Sequence, residues 1–369
     1  MNILILNWRD VSHPKSGGAE LVTMEHAKGW VAAGHKVTWL TASYPGAKKE
    51  SVVEGVFFVR RAGTYTVYLY AWIYVLLNAR LVDVIVDEVH GFPFFSPLFT
   101  RKPVVVFIHE IAGEIWDFMF PFPKNIIGKT LERFYFRLYR QCLFWTDARS
   151  TVDELVERGI PRNQCTAIPC PIITSHVSRI AYHKEARATY IFVSRVVRMK
   201  GIEEIIKAFS FIARAQKEAR LWIVGSGQDG YIKELNDMTR EYDIAERATF
   251  FGNVSDKRKF ELMARAHLLL HASVKEGWGL VVLEAAHVGT PAVVYNVAGL
   301  RDVVKNGSTG IVISGNSPRE MAKEAMELVD DTARYNKFQK NAYRWVRSLS
   351  WPNVVRQSLG ILSAAISKR

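Results

Sequence analysis

Short apolar runs of four or five residues recur along the chain, separated by stretches in which apolar positions return every three or four residues. The runs predict strands buried on both faces, and the spaced stretches predict helices that turn one face to a core. Ile3–Leu6 predicts a first strand. A loop with Gly17 and Gly18 follows, then a helix from about Ala19 to Ala33, ended by Gly34. Strands at Val37–Leu40, Val84–Val86 and Val104–Ile108 continue the series. The rhythm restarts at Tyr190–Val193, where Ile202, Ile205, Ile206, Phe209 and Ile212 fall at helix-face spacing. Further strands are expected at Leu221–Val224, Thr249–Phe251, Leu268–His271, Ala292–Tyr295 and Ile311–Ile313.

Two blocks of alternating strand and helix predict the α/β class, with two Rossmann-like domains built on parallel sheets. The expected division is residues 1–185 for the first domain and 186–348 for the second. Pro169-Cys170-Pro171 and the polar stretch around residues 175–187 read as the linker. Residues 349–369, with Val354, Val355, Leu359, Leu362 and Ile366 after Trp351-Pro352, predict a last helix that packs back toward the first domain. A chain of 369 residues is too long for one ordinary core and suits two.

Composition narrows the class. Hydrophobic residues make up 49% and charged residues 23%, which is ordinary for a globular chain. The three cysteines, Cys142, Cys165 and Cys170, show no paired spacing, which argues against a disulfide framework or a structural zinc site. The most apolar run, Val67–Leu77, falls well short of the ~20 residues that span a membrane. The apolar start lacks a basic leader and reads as a strand, so a cytoplasmic protein is expected. A formal net charge of +13 points to an anionic partner; nucleic acid, phosphorylated small molecules and an acidic membrane surface all fit that sign.

The densest chemistry lies at Glu276-Gly277-Trp278-Gly279-Leu280, with Glu284 eight positions after Glu276. Glycines there let backbone approach a ligand, and a helix starting near Leu280 offers N–H groups to a phosphate or a sugar. Carboxylates accept from sugar and ribose hydroxyls. At the end of the strand Tyr190–Val193, Arg195, Arg198 and Lys200 project from a loop, where two cations can clamp a diphosphate. Gly225-Ser226-Gly227-Gln228-Asp229-Gly230 is literally GxGxxG after a strand, yet it sits in the second βαβ unit of its domain. A dinucleotide-dependent oxidoreductase would carry it in the first.

Glu276 with Glu284, Arg195 with Lys200-Gly201, Gly17-Gly18-Ala19-Glu20, and Ser350-Trp351 before a terminal helix together resemble glycosyltransferase family 4. The resemblance covers essentially the whole chain. It implies the GT-B fold, two Rossmann-like domains facing across a cleft, and a retaining hexosyltransferase. The substrate implied is a UDP- or GDP-sugar carrying a hexose or N-acetylhexosamine. Arg195 and Lys200 would bind the donor diphosphate and stabilise the leaving group. Glu276 would hold sugar hydroxyls with help from Gly277, Trp278 and Gly279, and Glu284 would hold the ribose. Gly225 and Gly227 would lie near the nucleotide, and Phe251, Gly252 and Asn253 beside the base. Gly17, Gly18 and Glu20 would face phosphate and acceptor, and His109 would join Glu276, Arg195 and Lys200 in catalysis.

No Asp-x-Asp triplet or His/Cys cluster of metal spacing occurs, so no metal and no cofactor beyond the donor are expected. A GT-B epimerase or phosphorylase, or a non-catalytic nucleotide-sugar binder, stays open. On the acceptor side, Leu131, Phe134, Tyr135, Leu138, Cys142 and Trp145 fit one helix face beside Arg133, Arg137 and Arg140. Two readings stand together: a core helix with solvated arginines, or a membrane-surface helix on the inner face of the cytoplasmic membrane. The second implies a peripheral protein with a lipid-linked glycan acceptor in polysaccharide or glycolipid synthesis. No nucleic-acid-binding signature accompanies the basic charge.

Overall fold

The computed structural model describes residues 1–173 and 183–368. Packing divides the chain into two units, Met1–Ile173 with Ser350–Arg369 as unit 1, and Thr174–Leu349 as unit 2. The expected boundary was residue 185, and most of the expected linker, at 174–182, lies outside the described residues.

Unit 1 runs β1 (Asn2–Leu6), α1 (Gly18–Ala32), β2 (Lys36–Thr41), β3 (Glu50–Val53), β4 (Val56–Arg60), α2 (Val67–Asn78), β5 (Val84–Val89), β6 (Val104–Ile108), α3 (Ile115–Met119), α4 (Lys124–Tyr135), β7 (Leu143–Thr146), α5 (Arg149–Glu157) and β8 (Cys165–Ala167). Its sheet has the order β3-β4-β2-β1-β5-β6-β7-β8, parallel except for the β3–β4 hairpin at one edge. Every residue of β5 and β6 is buried, as central strands covered on both faces require.

Unit 2 runs β9 (Thr189–Val193), α6 (Ile202–Ala215), β10 (Arg220–Val224), α7 (Asp229–Glu241), β11 (Ala248–Gly252), α8 (Asp256–Arg265), β12 (Leu268–His271), α9 (Leu280–His287), β13 (Ala292–Tyr295), α10 (Leu300–Val303), β14 (Gly310–Ile313), α11 (Pro318–Asp330) and α12 (Thr332–Ser348). Its order is β11-β10-β9-β12-β13-β14, all parallel. The chain returns to unit 1 as α13 (Trp351–Ser367). There Ser358 Oγ receives the Trp30 indole N–H at 3.0 Å and bonds His26 Nδ1 at 3.0 Å, inside the core beneath α1.

Residues 131–145 correct the sequence expectation of one continuous helix. The α-helix stops at Tyr135, a short tighter turn covers Phe136–Tyr139, and β7 begins at Leu143. Cys142 and Trp145 are therefore buried with the sheet, whereas Leu131, Phe134 and Leu138 are exposed. The single apolar face does not exist, because a short strand pairing with β6 claims the segment's second half.

A doubly wound sheet binds ligands outside the carboxyl ends of its strands, where the winding direction reverses. That point lies between β1 and β5 in unit 1, and between β9 and β12 in unit 2.

Candidate active site

In unit 2 the reversal point gathers Lys200 and Glu276 from the loops after β9 and β12. Gly201 makes this possible: its φ of +68° is left-handed, and a Cβ there would meet the Ala272 carbonyl oxygen at 2.0 Å. The two loops touch backbone to backbone, with the Val274 N–H donating to Met199 at 3.0 Å. Glu276 Oε1 then receives Lys200 Nζ at 2.5 Å and Ser273 Oγ at 2.7 Å, and bonds His271 Nε2 at 2.9 Å. Burial works against the charge on Glu276. The Lys200 ammonium and the His271 contact outweigh it and hold the carboxyl well below the usual range. A mostly buried, ionised carboxylate with three partners on one oxygen is firmly aimed. Neither His271 nor Ser273 stood out in the sequence, where His271 read only as the end of a strand.

Arg195 is exposed on the loop after β9. Arg198 is engaged elsewhere, meeting Glu203 at 3.0 Å and Glu234 at 2.5 Å and lying 4.6 Å from the centre of the Tyr231 ring. This separates two arginines that the sequence left as competitors. Gly279 caps α9, which begins at Leu280 with buried Trp278 just before it; Gly277 is half-buried.

Glu284, within α9, pairs with Lys259 of α8 at 2.9 Å, so the two glutamates do not share a partner. Burial pushes the Glu284 carboxyl up against the pull of Lys259. Gly225 has φ of +137° and a Cβ there would sit 1.7 Å from the Ser194 carbonyl oxygen, so its loop lies flat on the β9 loop. Gly227 packs beside it on Val196. The Gly225 N–H donates to Gly252 at 2.9 Å, which joins Phe251, Gly252 and exposed Asn253 to the same strand-end cluster.

In unit 1 the reversal point carries a second carboxylate cluster, built from residues distant in sequence. His109, at the end of β6, places Nδ1 2.5 Å from Asp147 Oδ2 and Nε2 3.3 Å from Glu88 Oε1. His90 Nε2 stands 2.8 Å from the same Glu88 oxygen. Burial opposes charge on His109, but the two carboxylates outweigh it and raise its pKa to about 10. Burial likewise opposes charge on Glu88, which the two histidines nevertheless hold down at about 2.

Both ring nitrogens of His109 thus face carboxylates. Glu20, on α1, receives the Gly17 N–H at 2.6 Å and Arg9 at 2.8 Å, closing the helix start where Gly17 and Gly18 are exposed. Glu88, His90 and His109 bring ligand atoms within 4.8 Å of one another, a set able to hold a metal ion, with Asp147 behind His109. Sequence spacing hid it, since the two histidines and Glu88 sit on neighbouring strand ends.

Unit 1 also carries an apolar surface. On α4 and the turn after it, Ile127, Leu131, Phe134 and Leu138 follow one ridge and are each 44–53% exposed. On α2, Val67, Ala71 and Val75 are buried, while Leu69, Ile73, Leu76 and Leu77 are 54–80% exposed. Aromatic contacts of the segment between them, Trp72 with Phe99 and Phe95 with Tyr135, link the two helices. Among the described residues no helix is long and apolar enough to cross a membrane.

Residues 16–176 match the family model described as Glycosyltransferase Family 4, and residues 177–345 match Glycosyl transferases group 1. N-acetyl-alpha-D-glucosaminyl L-malate synthase from Bacillus anthracis is 21% identical over 350 residues, 86% of each chain. Poly(glycerol-phosphate) alpha-glucosyltransferase from Bacillus subtilis is 29% identical over 182 residues, 48% of this chain and 26% of its own. In this and two other relatives of 29% identity, the match spans only 26–45% of the relative's length.

Among solved structures, sucrose-phosphate synthase from Thermosynechococcus elongatus superposes over 100% of both chains, with a TM-score of 0.80 and 16% identity. HepE of Anabaena, solved with UDP-glucose, superposes over 99% of this chain and 100% of its own, with a TM-score of 0.73 and 18% identity. At these identities they establish the fold, GT-B.

Proposed function

This chain belongs to the family 4 glycosyltransferases, and on that basis we propose that it transfers a hexose or N-acetylhexosamine from a nucleotide-diphosphate sugar to a glycan acceptor with retention of configuration. The Glu276 cluster carries the reading. Its carboxylate is charged and aimed, yet Glu276 and Lys200 keep 14% and 12% of their side chains exposed. A sugar hydroxyl can therefore take up a lone pair of Glu276, and Lys200 can turn toward a diphosphate. As the bond between anomeric carbon and phosphate oxygen breaks, negative charge grows on the diphosphate, where Lys200 and Arg195 neutralise it. The acceptor hydroxyl approaches on the same face, and the leaving phosphate takes its proton.

Glu284 holds the ribose in this scheme. Gly225, Gly227, Phe251, Gly252 and Asn253 line the nucleotide, and Gly277, Trp278, Gly279 and Leu280 the sugar. In unit 1, Gly17, Gly18 and Glu20 face the acceptor. His109 supplies a fixed positive charge, since both of its nitrogens are engaged. Cationic side chains do the work of a metal, so chelation leaves the rate unchanged. The exposed apolar residues of α2 and α4 support a lipid-linked acceptor met at the inner membrane surface.

Nucleotide release from UDP-sugars and GDP-mannose, with and without acceptor lipid extracts, tests the proposal. Lys200→Ala and Glu276→Ala should each lose about 10²–10³-fold in kcat with the fold intact. Wild-type rates in either would remove the assigned role. An epimerised donor without transfer would favour the epimerase reading.

A further inference from the structure

A cavity of about 550 Å³ opens in unit 1 at the amino edge of the sheet, where Val104 begins β6 and Leu143 begins β7. This is the edge opposite the carboxyl strand ends that hold His109 and Glu88, so the cavity is no part of the site described above. Lys102, Arg137, Arg140 and Lys368 line it with Gln141, and among the described residues no acidic one does. Among the described residues none of these four cations forms a salt bridge or bonds a carboxylate. Arg137 is braced over the Phe134 ring at 5.0 Å. Unpaired cations crowded around one hollow repel each other, and an anion relieves that repulsion. Arginines suit a phosphate in particular, because the guanidinium fork matches its oxygens.

The wall of the cavity identifies the source of that phosphate. Leu138 lines it and also ends the exposed ridge of Ile127, Leu131, Phe134 and Leu138, which runs ~16 Å along α4 and its following turn. Apolar side chains leading up to a cationic hollow match the two layers of a membrane surface, acyl chains and phosphate headgroups. We propose that this cavity binds the phosphate headgroup of an anionic lipid while the α4 ridge enters the acyl boundary. The idea rests on the membrane reading above and adds to it a specific headgroup site, separate from transfer chemistry.

The test compares co-sedimentation of the full-length protein with phosphatidylcholine vesicles and with vesicles that also contain phosphatidylglycerol. Arg137→Gln with Arg140→Gln should bind the anionic vesicles about thirtyfold more weakly, with unchanged binding to neutral ones and unchanged nucleotide release. A control of equal charge change, Lys36→Gln with Lys48→Gln, should bind like wild type. Equal loss in the control would show general charge attraction and overturn the site. Wild-type affinity in the arginine variant would overturn it too, leaving the membrane reading intact. If the unaltered protein ignores anionic vesicles, both ideas fall together. Thermal stabilisation of the unaltered protein by soluble glycerol phosphate, lost in the arginine variant and without any vesicle preference, would assign the cavity to a free phosphate and refute the lipid.

Discussion

The two strand-reversal points solve the same electrostatic problem in different ways. Each crowds donors onto one carboxylate oxygen, Glu276 Oε1 in unit 2 and Glu88 Oε1 in unit 1. In unit 2 a flexible lysine and a hydroxyl join the His271 imidazole, and the carboxylate is partly exposed, so ligand atoms can replace the lysine or the hydroxyl. In unit 1 the partners are stiff imidazoles; Glu88 is fully buried, and its Oε2 has no hydrogen-bond partner among the described residues. Nothing there exchanges easily. The contrast separates a carboxylate built to be handed to a substrate from one built to hold a permanent charge.

The contrast breaks most visibly at Asp147. Removing it as Asp147→Ala leaves His109 facing Glu88 alone and should cost about 3 kcal/mol in urea unfolding. Histidine NMR should show His109 titrating far below about 10 in that variant. In the unaltered protein the raised value means that the stabilisation from His109 is complete below the ordinary 6.5 and is lost as pH rises through about 10. The lowered Glu276 works the other way: its contribution is present above 4.5 and disappears as pH falls below it. Hydrogen exchange across that range should therefore show unit 1 loosening in alkali while the loops around Glu276 stay protected.

A smaller effect sharpens the donor side. Glu284→Gln should raise KM for the nucleotide sugar about tenfold with kcat held, through weaker hydroxyl binding. The smallest concerns Arg198→Ala, which removes two exposed ion pairs, to Glu203 and Glu234, and should shift stability by less than about 1 kcal/mol with no change in kcat. A large fall in kcat would move the diphosphate role from Arg195 to Arg198.

Much of the fold was legible because central parallel strands are buried on both faces and leave uninterrupted apolar runs. β1, β6, β9 and β12 all show this. The β3–β4 hairpin was not legible, since β3 lies at an exposed edge and carries no such run. Residues 131–145 misled for another reason. Leu131 through Trp145 keep helical spacing by coincidence across a turn, and four residues of β7 are too few to declare a period of two.

In the candidate site, the local motifs around Lys200 and Glu276 could be read because their glycines and charges are contiguous. Glu88, His90 and Asp147 could not, because only the order of strands β5, β6 and β7 brings them beside His109. His271 is hidden differently: as the last residue of a buried strand, it looks like core until the side chain of Glu276 is placed against it.

The return of α13 to unit 1 sets the order in which the molecule can be completed. Unit 2 is one continuous stretch, whereas unit 1 is split around it. During synthesis, all of unit 2 emerges while the indole of Trp30 and the ring of His26 still await Ser358, some 330 residues downstream of them. The usual sequence, in which the first domain made is the first to finish, is thus reversed. The half that leaves the ribosome first closes last, once Ser358 has emerged to meet it.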